Sequence, residues 1–269
     1  MVKRPVNITR INKSKKEKIK DIVLIETPIE LTVNSESFVN IICLPQDLRE
    51  LAIGFLFSIG IINGIEDIKE IRINELENQI FVDLKDAIKF KAENLEINPV
   101  GRIIDTSCGI PSPWRDRIKK TLDKEIEELP LKDNIKLKPE IIFSAIKEIY
   151  KKMNLYRETG GCHGAAIFNL DGRLLSIKED IGRHNAIDKV FGDMLINKKK
   201  FENIFLTSSG RLTGDCVLKA VRAKIPIVAS VSAAIESGIR LAFAYGITLI
   251  GFVRGSRMNL YTHTSRIIS

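Results

Sequence analysis

Between Thr159 and Gly192 the chain crowds together groups that can hold anions and move protons. Gly160-Gly161 stands before Cys162 and His163, and Glu179-Asp180-Ile181-Gly182-Arg183 runs into His184 and Asp188. Paired glycines suit close approach of backbone to another group. A second stretch, Thr207-Ser208-Ser209-Gly210-Arg211, leaves an apolar run and enters a helical one. Amides at a helix start, a small glycine and an arginine are the parts of an anion pocket. Asp180-Ile181-Gly182-Arg183 repeats that pattern, and Arg254 and Arg257 follow a third apolar run. Alone, each would be an ordinary strand-to-helix turn. Several on one sheet edge would converge where α/β folds place ligands, and phosphate-bearing ligands fit best.

The thiols need separate treatment. Cys108 lies in Asp105-Thr106-Ser107-Cys108-Gly109-Ile110-Pro111-Ser112-Pro113, too rich in proline, glycine and serine for regular structure. Exposure is expected there, and an exposed thiol can ionise and act as a nucleophile. Cys43 in a strand and Cys216 beside Ala220 and Ala223 are expected in the core. Cys162 could be either. Cysteines at 43, 108, 162 and 216 have no paired spacing, so neither a disulfide framework nor a zinc site is expected. Cys162-His163 resembles one fragment of a zinc deaminase site. That chemistry also needs a glutamate two residues after the histidine and a C-x-x-C, whereas Ala165 fills the first position and the second does not occur.

The elements that must position these groups follow from periodicity. Residues 21–26, 30–34 and 37–44 are β-prone, and Pro45 opens a helix carrying Leu48, Leu51, Ala52, Phe55 and Leu56. Strands at 68–73, 79–84 and 87–92 complete a mostly antiparallel α+β domain over 21–135 that ends in the Cys108 loop and a charged linker. From 136 to 269 an amphipathic helix at 140–153 precedes a hairpin, 163–178, turning at Asp171-Gly172. Helices at 183–196, 213–224 and 234–245 then alternate with strands at 203–207, 226–231 and 247–253, which indicates an α/β layer with a parallel or mixed sheet.

Bulk composition excludes several classes. The net charge of +8 is concentrated in residues 1–20, where eight basic residues face one acidic, leaving +1 for the body. A nucleic-acid binder would spread such charge over a folded face, so these residues are expected to form a solvated, mobile arm. No uncharged stretch reaches the roughly 18–20 residues of a membrane span, and the basic start has no apolar segment behind it, so a cytoplasmic address is expected.

Five segments taken together resemble the formate dehydrogenase accessory sulfurtransferase family (FdhD). They are ETPIELTVNSESFVNIICLPQDLRELAIGFLFSIGII, TSCG at 106–109, the whole of 159–192, SSGRLTGD at 208–215 and TLIGFVRGSRMNLYT at 248–262. The resemblance spans about residues 25–267. It implies that the second domain is cytidine-deaminase-like with three layers, and that Cys108 carries a persulfide. Sulfur would come from a cysteine desulfurase and pass to molybdenum (or tungsten) before the cofactor enters formate dehydrogenase. It also implies that Phe252, Val253, Arg254, Gly255, Ser256 and Arg257 contact the molybdenum bis(molybdopterin guanine dinucleotide) cofactor, with a guanine nucleotide as its fragment. Arginine can fork onto phosphates and stack on flat heterocycles. Gly160, Gly161, Gly182, Arg183, His184, Ser209, Gly210 and Arg211 are expected to line the same pocket. His184 serves there in cofactor binding or proton handling, or is simply paired with Asp188. A homodimer is implied too. One departure is visible: the family's second C-x-x-C cysteine is Pro111 here. Its absence would lengthen a persulfide's life, or mark a carrier in which Cys108 is idle.

Overall fold

The computed structural model describes residues 1–13, 15–88, the backbone of 103–104, and 135–268. The Cys108 loop, Pro111 and most of the charged linker lie outside the described residues, as does the expected strand at 87–92 beyond Ile88.

The basic arm is not an unstructured tail. β1 (Lys3–Asn12) and β2 (Lys15–Leu24) pair antiparallel over their whole length. The register puts Val6, Ile8, Ile19 and Val23 on one face, a period-two apolar row hidden among lysines. At its base, Ile25 N–H donates to the Val2 carbonyl and Lys3 pairs with Glu158.

Next, β3 (Thr27–Val33), β4 (Glu36–Cys43), β5 (Ile68–Asn74), β6 (Gln79–Leu84) and β7 (Ile103–Ile104) form a sheet ordered β5-β6-β3-β4-β7. It was expected to be mostly antiparallel, yet β3–β6 and β4–β7 are parallel. The intervening helix α1 (Leu48–Ser58) carries the chain back before β5 turns into β6, so β6 runs alongside β3.

The second half places α2 (Pro139–Lys152) and a short α3 (Asn154–Thr159) before β8 (His163–Asn169) and β9 (Leu174–Asp180). Then come α4 (Arg183–Ile196), β10 (Ile204–Ser208), α5 (Gly214–Arg222), β11 (Ile227–Ser230), α6 (Glu236–Ala244), β12 (Thr248–Arg254) and β13 (Arg257–Leu260). The six-stranded sheet runs β13-β12-β11-β10-β8-β9 and is mixed. Alternation divides its side chains between two faces. Ala166, Phe168, Phe205, Ala229 and Ile250 pack against Ile142, Ala145 and Ile149 of α2. Ala165, Ile167, Leu206, Val228 and Leu249 meet α4, α5 and α6. No helix among the described residues is long and apolar enough to cross a membrane.

Both sheets share a core because α1 lies directly on α4. Gly54 and Gly192 let the backbones touch: a methyl group at Gly54 would overlap the Asp188 carbonyl, and one at Gly192 the Glu50 carbonyl. Neither conflict falls on a flexible side-chain end, so neither can relax cheaply. At the rim, Lys178 Nζ reaches Asp47 (2.8 Å) and Glu50 (2.9 Å), tying β9 to the start of α1. Burial works against the Lys178 charge, but the hydrogen bonds to Asp47 and Glu50 prevail and raise its pKa.

Gly192→Ala and Gly54→Ala are therefore each expected to destabilise the protein by at least the roughly 1–3 kcal/mol of an overpacked core. Urea denaturation checks this, and an unchanged midpoint would contradict the helix crossing.

Candidate functional site

The carboxyl ends of β9, β10, β11 and β12 and the amino end of β8 fall on one edge of the six-stranded sheet. That edge holds Asp180–His184, Ser208–Arg211, Ser230–Ser232, Arg254 and His163. Hydrogen bonds lace it together. Ser209 N–H donates to the Gly164 carbonyl (2.9 Å), Gly210 N–H to Ser208 Oγ (3.1 Å), and Ser230 Oγ to the Gly210 carbonyl (2.7 Å). Phe252 N–H reaches the Ser232 carbonyl (2.9 Å) and Arg254 Nε the Val231 carbonyl (3.2 Å).

This lacing changes what the serine–glycine–arginine turns can do. The amides of Ser209 and Gly210 are spent on Gly164 and Ser208, and Gly182 N–H is spent on Asp180 Oδ1 (2.8 Å). Helix α5 begins at Gly214, three residues past Arg211, with Thr213 at its cap. Those amides are therefore not the anion cradle expected from the sequence. Positive charge comes instead from side chains. Arg183 crosses Gly210, where a Cβ would lie 2.7 Å from Arg183 Cβ, and Arg211 projects into solvent from the next residue. Arg183 Nε is buried and has no hydrogen-bond acceptor among the described residues.

His163 is the group in this cluster that the sequence did not single out for binding. Its Nδ1 lies 3.0 Å from Ser209 Oγ, which also accepts from Gly164 N–H at 3.0 Å. Burial, then the Arg183 and Arg211 guanidiniums, hold the imidazole below its ordinary pKa, with Asp180 pulling the other way. In the sequence it stood only as the neighbour of Gly-Gly-Cys and as half of the Cys162-His163 deaminase-like fragment.

Beneath the edge lies a buried polar layer. Asp180 accepts from Leu44 N–H (3.1 Å), Gly182 N–H, Asn185 Nδ2 (3.0 Å) and Lys189 Nζ (2.7 Å), and neither Asp180 nor Lys189 has any exposed side-chain surface. Asp188 accepts from Lys219 and from Ser58 Oγ (2.6 Å). The Asp188 carboxyl is pushed up by burial, against the pull of Lys219 and Ser58. His184 itself is buried, with Nδ1 3.6 Å from Cys216 Sγ.

The expected pocket residues are spread along this edge. Arg183, flanked in the chain by Gly182 and His184, meets Gly210, and Ser209 and Arg211 flank that glycine, with Ser209 against His163. Gly160 and Gly161 sit at the end of α3, where Leu24 of the ribbon packs against Gly161. The Phe252–Arg257 turn lies at the other end of the edge. There Phe252 adopts a left-handed φ of 51° beside a β-bulge, and the Arg254 guanidinium stacks 5.5 Å from the Phe252 ring. Arg254 and Gly255, with Val253 and Val231, line a cleft of about 520 Å³. Its far wall is α2 and α3, through Phe143, Lys147, Tyr150 and Tyr156. Burial, with Tyr156 adding, raises the Tyr150 phenol, while Arg254 opposes. The sequence announced the amphipathic helix that carries Tyr150 but gave no sign that Lys147 and Tyr156 would line a cleft with Arg254.

The three described cysteines are shut away: Cys43 is 0%, Cys216 1% and Cys162 5% exposed. Burial, with Asp180 adding, pushes the Cys43 thiol up to about 12. Cys162 Sγ donates to Glu179 Oε1 (3.2 Å), and its pKa is raised by burial first and then by that carboxylate. Cys216 is raised by burial despite Thr213 and Arg183. Burial thus biases all three toward the protonated thiol.

Comparison with known proteins gives a consistent set of matches. The family model described as FdhD/NarQ matches residues 24–268. The chain is 37% identical to the sulfur carrier protein FdhD of Saccharolobus solfataricus, over 97% of this chain and 96% of the relative. Against the protein of that name in Bacillus subtilis, identity is 33% with the same shares covered. Among solved structures, one described as a formate dehydrogenase accessory protein from Desulfotalea psychrophila superposes with a TM-score of 0.75 at 28% identity, covering all of both chains.

Two outcomes are expected. Lys189→Met leaves the Asp180 charge buried without its cation and should cost about 3–5 kcal/mol, measured by denaturant unfolding. A loss within error would show that Asp180 is not held as described. In native protein at about pH 8, Cys43, Cys162 and Cys216 should stay unmodified by iodoacetamide, since only thiolates react quickly. Peptide mass spectrometry finding any of them alkylated at the rate of a free thiol would contradict their burial.

Proposed function

The chain belongs to the FdhD/NarQ family, and we propose that it is a sulfur carrier for formate dehydrogenase that works through a persulfide on Cys108. One observation carries this assignment. Of the four cysteines, the three described are buried and held protonated, which leaves Cys108, inside the segment matched by the family, as the thiol available to react.

In the first transfer the Cys108 thiolate attacks the outer sulfur of a desulfurase persulfide. The new S–S bond forms at Cys108 as the donor's S–S bond breaks and the donor leaves as a thiolate, with no net oxidation. The second transfer moves that sulfur to molybdenum of a bound bis(molybdopterin guanine dinucleotide) cofactor, which is cargo. The sulfane sulfur takes two electrons from the reduced metal centre to become sulfide, and Cys108 is released as thiolate. The edge offers what such cargo needs. Arg183 and Arg211 supply charge for phosphates, and the Arg254 cleft supplies tyrosines and a stacked guanidinium for a flat heterocycle. We further propose that the second half is cytidine-deaminase-like, that the protein is a cytoplasmic homodimer, and that it meets the desulfurase and the catalytic subunit in turn.

Cys108→Ser should fold and bind cofactor yet fail to activate formate dehydrogenase in cells lacking the native accessory protein. Full activation by this variant would leave a passive cofactor carrier as the function. Wild type incubated with a cysteine desulfurase should gain one sulfur on the Cys108 peptide by mass spectrometry. Arg211→Ala or Arg254→Ala should weaken GDP binding by calorimetry, each lost charge-assisted hydrogen bond being worth about 1.5–3 kcal/mol. Unchanged affinity in both would remove these arginines from the site.

A further inference from the structure

His163 sits at the centre of the arginine cluster, and its surroundings are unusual for a histidine. Arg183, from the start of α4, packs against Gly210 next to Ser209, and its buried Nε has no hydrogen-bond acceptor among the described residues; Arg211 follows that glycine, and both guanidiniums act on the ring. The carboxylates nearby are committed elsewhere. Asp180, its cross-strand partner, is held by Lys189, Asn185 and two backbone amides. Glu179 accepts from the amides of Leu155 and Tyr156 and from Cys162 Sγ. Among the described residues the hydrogen-bonding partner of the ring is Ser209 Oγ.

That hydroxyl is fixed by Gly164 N–H, which occupies one of its lone pairs. It keeps one hydrogen and one further lone pair, so it can serve the ring in either protonation state. Toward a neutral imidazole it donates to Nδ1 and leaves the proton on Nε2. Toward an imidazolium it turns and accepts from Nδ1–H. Few residues could do both without rearrangement, and alanine could do neither.

We propose that His163, seated on Ser209, is a proton-dependent third cation of an oxyanion site formed with Arg183 and Arg211, neutral while the site is empty and imidazolium when a phosphate-like group is bound. The inference rests on the anion-binding part of the proposed function and adds its dependence on pH. The sign follows from linkage. The empty site holds the imidazole below its ordinary value, and an oxyanion between the guanidiniums cancels the repulsion and raises it. The bound state therefore takes up a proton in the window between the two values. Affinity rises as pH falls through that window and levels off on either side.

Sulfate is the probe, because it keeps its two charges where phosphate and GDP would titrate. Calorimetry at constant ionic strength from about pH 8 to about pH 5 should show sulfate affinity rising, at a limiting slope of about tenfold per pH unit for one linked proton. The rise should vanish in His163→Gln and weaken in Ser209→Ala. An imidazole NMR titration of the wild type should show the His163 pKa moving upward on adding sulfate. That measurement stands even if a variant folds poorly. A wild-type profile that is flat, or one that survives unchanged in folded His163→Gln, would overturn the proposal, as would a His163 signal indifferent to sulfate. GDP titration at both the acid and the alkaline end of the same range is the separate arm. Sulfate binding with the His163 signature but without GDP binding would support the proton-dependent site and remove the nucleotide cofactor as its ligand. GDP binding without any sulfate response would retain the cofactor site and place His163 outside it.

Discussion

The Asp180 carboxylate is the point on which the rest of the site depends. A charge removed from water costs several kcal/mol unless its partners are complete, and here they are drawn from three elements. Leu44 N–H comes from the end of β4, Gly182 N–H from the turn after β9, and Asn185 with Lys189 from α4. Satisfying this one carboxylate fixes the first sheet, the β9 turn and the helix start relative to one another. Arg183 and His184 lie inside that fixed turn. The Asp188–Lys219 pair, closed by Ser58, repeats the device one helical turn on and draws in α5 and the end of α1. Apolar side chains could fill the same volume, but they would not demand this register. Gly54 and Gly192 make the arrangement geometrically possible, since only bare backbones can approach closely enough for Asp188 to meet Ser58 and Lys219.

With the turns fixed from below, their outer atoms are free to serve a ligand, but not in the way the local pattern suggests. A serine–glycine–arginine turn ahead of a helix looks like a phosphate cradle of backbone amides. In this fold the amides are consumed in lacing neighbouring strand ends together. On the proposed binding role, recognition would fall to guanidiniums, whose reach lets them act across strands. The edge thereby has two distinct chemistries about three strand spacings, or roughly 14 Å, apart. Around His163 it is strongly cationic. Around Arg254 it is a cleft of aromatic and apolar walls with Lys147 and Arg254 at hand.

Much of the architecture was legible because it is locally periodic. The apolar stripe from Ile187 to Leu195 announced α4 with its observed limits, and Asp171-Gly172 announced the hairpin, with Gly172 at φ 86°. Elements missed were those in which another signal covered the period. Lysines masked the alternation of Val6, Ile8, Ile19 and Val23 in the ribbon, while α3 and β13 are too short to establish one. Partner identities were not legible at all. Asp180 finds Lys189 and Leu44, Asp188 finds Lys219, and His163 finds Ser209, because topology brings distant segments together. No spacing rule in the chain anticipates those pairs. Asp188 illustrates the limit: nothing in its neighbourhood in the chain announces Lys219 and Ser58, which reach its carboxylate from two other helices.

The distribution of thiols has a logic of its own on the sulfur-carrier assignment. A persulfide is destroyed by any second thiolate that can reach it, because attack on the sulfur bonded to carbon expels sulfide and leaves a disulfide. A carrier therefore gains from keeping every other thiol protonated and enclosed. Cys43 is silenced by burial beside Asp180, and Cys216 by complete burial. Cys162, which adjoins His163, is held by burial and by its hydrogen bond to Glu179, since a thiol that donates to a carboxylate must give up the bond to become a thiolate. On the proposed Cys108 persulfide, Pro111 would extend the same principle: where the family resemblance implies a second C-x-x-C cysteine, this chain has a residue that cannot attack. Persulfide stability would then depend on the enclosure of the three described thiols as well as on that proline.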